Sequence, residues 1–213
     1  VLLLAVAAAC VIAAHRLVPR RRDLVRLAWL QPAGVAAQAL WGGAVVHSVL
    51  HPVTVGVHFL LSIAMIAAAV ALYARSGEGD APPRRLVHPA IHALGRVLVG
   101  AVLVLVVLGV VVTGTGPHSG DVAATRFDFD IETVARIHAD AAYVAVGLTF
   151  ALVLALHVTG GPARARRGAL VLLGLELAQG VVGYTQYFLG VPEPLVGLHV
   201  LGSALIWIAT VRL

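Results

Sequence analysis

Apolar residues in this chain fall in long unbroken blocks, not in the alternating or one-faced patterns of a soluble domain. The blocks are residues 1–14, 27–46, 53–73, 97–113, 133–156, 168–189 and 195–213. Apart from the first, each is about 17–24 residues long, enough for an α-helix to cross ~30 Å of hydrocarbon at ~1.5 Å per residue. The pattern predicts an all-α polytopic membrane protein with six whole membrane helices and part of a seventh. No block alternates in the manner of a membrane β-strand.

The polar segments between the blocks alternate in charge. Arg16, Arg20, Arg21, Arg22 and Arg26 fill the first, Arg75, Arg84, Arg85 and Arg96 flank the third, and Arg164, Arg166 and Arg167 occupy the fifth. The segments between them, 47–52, 114–132 and 190–194, are poor in arginine; the longest sets Arg126 against Asp121, Asp128, Asp130 and Glu132. The positive-inside rule puts the arginine-rich loops in the cytoplasm and the other three outside, in a multi-pass protein of the cell membrane. Residues 76–85, with Gly, Asp, Glu and two prolines, read as a flexible inner linker.

Composition narrows the function classes. The 213 residues are 60% apolar and 12% charged, with mean hydropathy +0.97, which excludes a soluble domain. The net charge of +5 comes from arginine in short loops, so it speaks for topology and not for nucleic-acid binding. Cys10 is the one cysteine, which excludes an internal disulfide and a cysteine metal centre.

Two stretches of the chain say the same thing. Gln38, Gly42, Val55, Gly56, His58, Leu60 and Ser62 find counterparts in Gln179, Gly183, Val196, Gly197, His199, Leu201 and Ser203, each 141 positions further on. This predicts two tandem repeats lying parallel in the membrane. The glycines and serines form small faces that let helices approach each other or a planar ligand closely. Gln38 and Gln179 suit either a ligand contact or a helix cross-link. Glu176, near mid-helix, has no partner that sequence identifies.

The chain contains ten histidines, and an ionisable side chain within hydrocarbon is costly unless paired, hence functional by default. Depth sorts them. His15 and His157 fall at inner helix ends, and His88 and His92 in the linker or at a helix start. His47, His51 and His118 belong to outer loops, where a structural role and a contact to a ligand's carboxylates are both open. His58, His138 and His199 lie five or six residues past the outer start of inward-running helices, ~7–9 Å deep at 1.5 Å per residue. His138 and His199 can therefore meet at one height and clamp a flat macrocycle. Paired neutral imidazoles are how helical bundles hold low-spin haem; zinc would need further ligands at that depth. The repeat displacement carries His138 to a position before Val1, so His58's partner is expected upstream of a chain that opens inside an apolar block, as an N-terminally cut fragment would. The 113–121 loop (TGTGPHSGD) lacks the Lys-Ser/Thr ending of a phosphate loop and suits a cap over a cofactor edge. Arg126 or Arg136 suits pairing with haem propionates.

TGTGPHSGD at 113–121, RIHAD at 136–140, QGVVGYTQY at 179–187 and GLH at 197–199 together resemble haem A synthase of the actinobacterial type. The likeness covers nearly the whole chain. It implies eight membrane helices in two four-helix bundles, each with a histidine pair, that oxidise the C8 methyl of haem O to the formyl of haem A for cytochrome oxidase. It implies that residues 1–75 are an incomplete first repeat (the end of helix 2, then helices 3 and 4), 76–96 a cytoplasmic linker, and 97–213 the second repeat (helices 5 to 8). His138 and His199 would hold haem b, and His58 would belong to the site for haem O or haem A. The family's functional glutamate, four residues before its first histidine, is expected upstream, so no catalytic residue is assigned within this chain. Membrane lipid, haem O synthase and oxidase assembly factors are the implied partners, with self-association open. Two other readings share the pattern: a membrane di-haem electron carrier like cytochrome b561, and a transporter built from parallel repeats.

Overall fold

A computed structural model describes residues 2–79, 85–117, 121 and 123–213. His118 and the linker residues 80–84 lie outside the described residues. Regular structure among the described residues is entirely α-helical: α1 (Leu2–Arg16), α2 (Arg22–His47), α3 (Pro52–Ser76), α4 (Pro89–Thr115), α5 (Ile131–Val158), α6 (Ala163–Phe188) and α7 (Glu193–Val211). Helices α3 to α7 are long and apolar enough to cross a membrane. Helix α1 is apolar but 15 residues long. Helix α2 has the length, 26 residues, but carries Arg22, Asp23, Arg26, Gln31 and Gln38.

Several helices outrun their apolar blocks. Helix α4 begins at Pro89, not at residue 97, because Pro89 suits the first turn and the His88 side chain accepts a hydrogen bond from the Ala90 amide at 3.2 Å. His51 does the same for α3, accepting from the Val53 amide at 3.3 Å. Asp130 caps α5, accepting from the Thr133 amide and hydroxyl at 2.8 and 2.6 Å. Those bonds hold its carboxyl below the ordinary range.

The chain divides into two compact units. The first is Val1–Ala81 with Ser119–Arg126; the second is Pro82–His118 with Phe127–Leu213. In the first, α2 packs on both α1 and α3. Ala14, Leu24 and Ala28 form its buried centre under Cys10, Val11, Val25 and Leu72. At the arginine-rich end of this unit, Asp23 accepts hydrogen bonds from Arg21 (2.9 Å) and Arg75 (3.2 Å), tying the start of α2 to the end of α3.

The second unit is a closed four-helix ring: α4 packs on α5, α5 on α6, α6 on α7, and α7 back on α4. One stripe of each helix is buried at helical spacing. Leu98, Val102 and Val106 come from α4, Ala145, Thr149, Leu152 and Leu156 from α5, Ala169, Leu172 and Glu176 from α6, and Ile206, Trp207 and Thr210 from α7. Many other large apolar side chains are exposed; Val158 is 86% exposed and Leu40, in the first unit, 80%. Such a surface suits lipid.

Candidate histidine site

In the second unit, α5 and α7 run in the same direction and carry His138 and His199. The structure brings the two rings together, with centroids 6.3 Å apart and planes 59° to each other. Both residues are half-buried. Each Nδ1 is buried without a hydrogen-bond partner, and the Leu105 carbonyl of α4 lies near the His138 ring.

A glycine stands behind each ring. A Cβ built on Gly109 of α4 would lie 3.1 Å from His138 Cε1, and one on Gly183 of α6 would lie 3.3 Å from His199 Cε1. Each imidazole therefore rests its Cε1 edge on a helix backbone that only glycine leaves bare. The first unit repeats the device: a Cβ on Gly42 of α2 would lie 3.6 Å from Cε1 of His58 on α3. His58 is half-buried, and its Nδ1 also lacks a partner. Gly42 and Gly183 belong to the sequence repeat. Gly109 does not, and sequence alone missed it: 29 residues separate it from His138, against 16 in the other two pairs.

The two glutamines cross-link helices. Gln38 Nε2 donates to the His58 carbonyl at 3.1 Å and to Ser62 Oγ at 2.5 Å. Gln179 Nε2 donates to the His199 carbonyl at 2.6 Å. Each fixes the backbone of the following helix at its histidine. A Cβ on Gly202 would collide with the Gln179 amide, so glycine gives that side chain its room. Gly43 and Gly197 have open space where a Cβ would go.

The turns that follow the two glutamine helices match in detail. In the α2–α3 turn the amides of Ser48, Val49 and Leu50 donate to the carbonyls of Ala44, Val46 and Val45. In the α6–α7 turn those of Leu189, Gly190 and Val191 donate to Thr185, Tyr187 and Gln186. Every one of these positions is related by the same displacement of 141 residues. Left-handed backbone falls at matched places too: Val49 (φ 52°) and Leu50 (φ 57°) against Gly190 (φ 74°) and Val191 (φ 60°).

The remaining histidines have local roles or none at this site. His51 and His88 are the helix caps described above. His15 Nδ1 pairs with the Val11 carbonyl and its ring meets Trp29 edge-on. His157 Nδ1 pairs with the Val153 carbonyl. His47 and His92 are exposed. Arg136 is exposed on α5 two residues before His138. The Tyr143 and Tyr184 hydroxyls hydrogen-bond to each other across α5 and α6 on the outer face of the ring. Two surface depressions are lined by none of His58, His138 and His199: one of about 410 Å³ between residues 85–88 and 159–161, and one of about 430 Å³ at Arg20, Arg22, Val25 and Arg26.

Comparison with known proteins found no matching family model and no matching curated protein.

Proposed function

We propose that the second unit holds a haem b between His138 and His199, and that the chain comes from a haem A synthase of the cell membrane, with no catalytic residue assigned among its residues. The observation that carries the haem assignment is the ring separation. Two imidazoles that would share one metal ion at bonds of about 2.0 Å need ring centres about 6 Å apart. The observed separation is 6.3 Å. The unpartnered Nδ1 atoms suit rings that are oriented for a ligand and not for each other.

Each protein group then has a task. His138 and His199 would hold the haem iron. Gly109 and Gly183 let the rings sit against backbone, and Gln179 fixes the α7 backbone at His199. The apolar stripes of four helices keep water from the core. When bound, haem b supplies one-electron transfer, and the protein tunes and shields it.

The synthase assignment rests on the motif resemblance, and the matched turns and Gln–His–Gly arrangements of the two units support its tandem repeat. His58, in the equivalent setting, is the residue offered to haem O or haem A. Both haem positions belong to the outer leaflet, and the arginine-rich ends to the cytoplasm. Haem O synthase and oxidase assembly factors are the partners this reading names.

Expression in a host that makes haem O, followed by spectroscopy and haem extraction, tests both levels. His138→Ala and His199→Ala should each abolish a low-spin bis-histidine spectrum that His58→Ala retains. A spectrum unchanged in His199→Ala removes the haem assignment. Extraction of haem O or haem A beside haem b supports the synthase. Haem b alone favours a di-haem electron carrier.

A further inference from the structure

The middle of the second unit is stripped of ionisable groups except at one point. Residues 97–115 on α4, 144–156 on α5, 168–183 on α6 and 200–211 on α7 contain a single titratable side chain, Glu176. It is 6% exposed. Thr149 of α5, fully buried, donates its hydroxyl to Glu176 Oε1 at 3.0 Å. The other carboxylate oxygen, Oε2, is buried with no partner. An ionised carboxylate with one hydrogen bond is costly in such surroundings, and a proton on Oε2 removes the charge.

The position of this pair is as informative as its isolation. Glu176 lies seven residues before Gly183, two helical turns and ~10 Å along α6 from the glycine that backs His199. Thr149 lies eleven residues after His138, three turns and ~16 Å along α5. Near-integral turns keep both on the faces that carry the histidine contacts. On the helices packed against α6, the ionisable groups that bracket it are half-buried His138 and exposed Asp140, Tyr143 and His157 on α5, and His199 and exposed Arg212 on α7. On α6 itself they are Arg167 and Tyr184, both exposed. The half-buried groups among these are the two histidines. The displacement of 141 carries Glu176 onto Val35 and Thr149 onto Ala8. Both polar members are therefore replaced together by apolar residues, so the pair is no requirement of the helix packing.

We propose that Glu176 is a proton-exchanging site of the second unit, coupled to the redox state of the group held by His138 and His199. The coupling rests on the haem reading above. One electron, from a one-electron donor such as a reduced quinone or, in the test, dithionite, enters the core together with one proton from water. The proton forms an O–H bond on Glu176, no other bond breaks, and the net charge of the core is unchanged. Oxidation returns both. Without the cationic centre, Glu176 is the neutral acid. Thr149 positions the carboxyl and favours its ionised form.

The first experiment uses the haem-free chain at neutral pH. Infrared spectroscopy should show the carbonyl stretch of a buried carboxylic acid, lost in Glu176→Gln. A spectrum identical in the two proteins would show an ionised Glu176 and overturn the proposal. The second uses the haem-loaded chain. Its midpoint potential should fall with pH by up to ~59 mV per unit, the one-electron value for a tenfold change. Glu176→Gln should keep the spectrum and flatten that slope. Thr149→Val should move the sloping region to higher pH, and Thr149→Ser should restore it. A slope equally steep in Glu176→Gln would place the proton elsewhere. A chain that takes up no haem overturns the coupling together with the haem reading, and the infrared result still decides the proton.

Discussion

At the scale of single residues, the site depends on what is missing from three positions. Gly109, Gly183 and Gly42 leave bare backbone where His138, His199 and His58 rest, but the clearances differ: 3.1, 3.3 and 3.6 Å to an added Cβ. The first two are tight enough that a side chain must push the ring, whereas the third is an ordinary contact. Gly109→Val and Gly183→Val should each lower haem affinity about tenfold, the equivalent of ~1.4 kcal/mol of overpacking. Gly42→Ala should leave both folding and haem content unchanged. Haem titration of the three variants checks this, and equal losses in all three would mean that ring clearance is not the cause. The histidines were legible in the sequence because their depth can be counted from the helix starts, and Gly183 because the repeat repeats it. Gly109 was not, since the longer α4–α5 connection breaks the spacing that the other two pairs share. Nor was Thr149, because its bond to Glu176 joins residues 27 apart through a packing that no local pattern encodes.

At the scale of elements, the turns and caps show where hydropathy stops being informative. Apolar blocks marked the helices well, but a block reports the hydrocarbon and not the helix. Helix α4 starts eight residues before its block because capping, not burial, sets the boundary. The two matched turns differ in one revealing place. Where the second has Gly190 at φ 74°, the first has Val49 at φ 52°, and a β-branched residue is disfavoured there. Strain of ~1–3 kcal/mol less the ~0.5–1 kcal/mol entropic cost of glycine leaves a net gain of about 1 kcal/mol for Val49→Gly. Thermal unfolding in detergent should show a raised midpoint, and Gly190→Val should lower it. At the opposite end of the same helices, hydrogen bonds from Arg21 first, then from the Leu24 amide and Arg75, hold the half-buried Asp23 carboxyl at about 2, down from 3.8. A carboxyl depressed on folding stabilises the fold above its ordinary value. That contribution is lost as pH falls from 3.8 towards about 2. The thermal midpoint of the wild type should therefore drop across this interval by more than that of Asp23→Asn, most clearly at low salt.

At the scale of the whole molecule, the apolar surface marks a multi-pass membrane protein, and the arginines give its expected orientation. Apolar side chains such as Leu40, Val158 and Val181 are well exposed. A bilayer removes that exposure, and helices α3 to α7 have the length to cross it. Hydropathy made this much legible, because the cost of exposing apolar surface does not depend on which helix packs on which. The order of packing in the second unit did depend on it, and was readable only as far as short turns force neighbours to be antiparallel. The orientation we propose rests on charge. Arg164, Arg166 and Arg167 sit just past the α5–α6 turn, while the α2–α3 and α6–α7 turns contain no arginine. The positive-inside rule then puts residues 47 and 189 on the outer side and residue 159 on the inner. In a Cys10→Ser background, His47→Cys and Leu189→Cys should react with a membrane-impermeant maleimide in intact cells. Thr159→Cys should react only after permeabilisation. Labelling of residues 47 and 189 from opposite sides would overturn the parallel repeat proposed from the sequence, and with it the common depth proposed for His58 and His199.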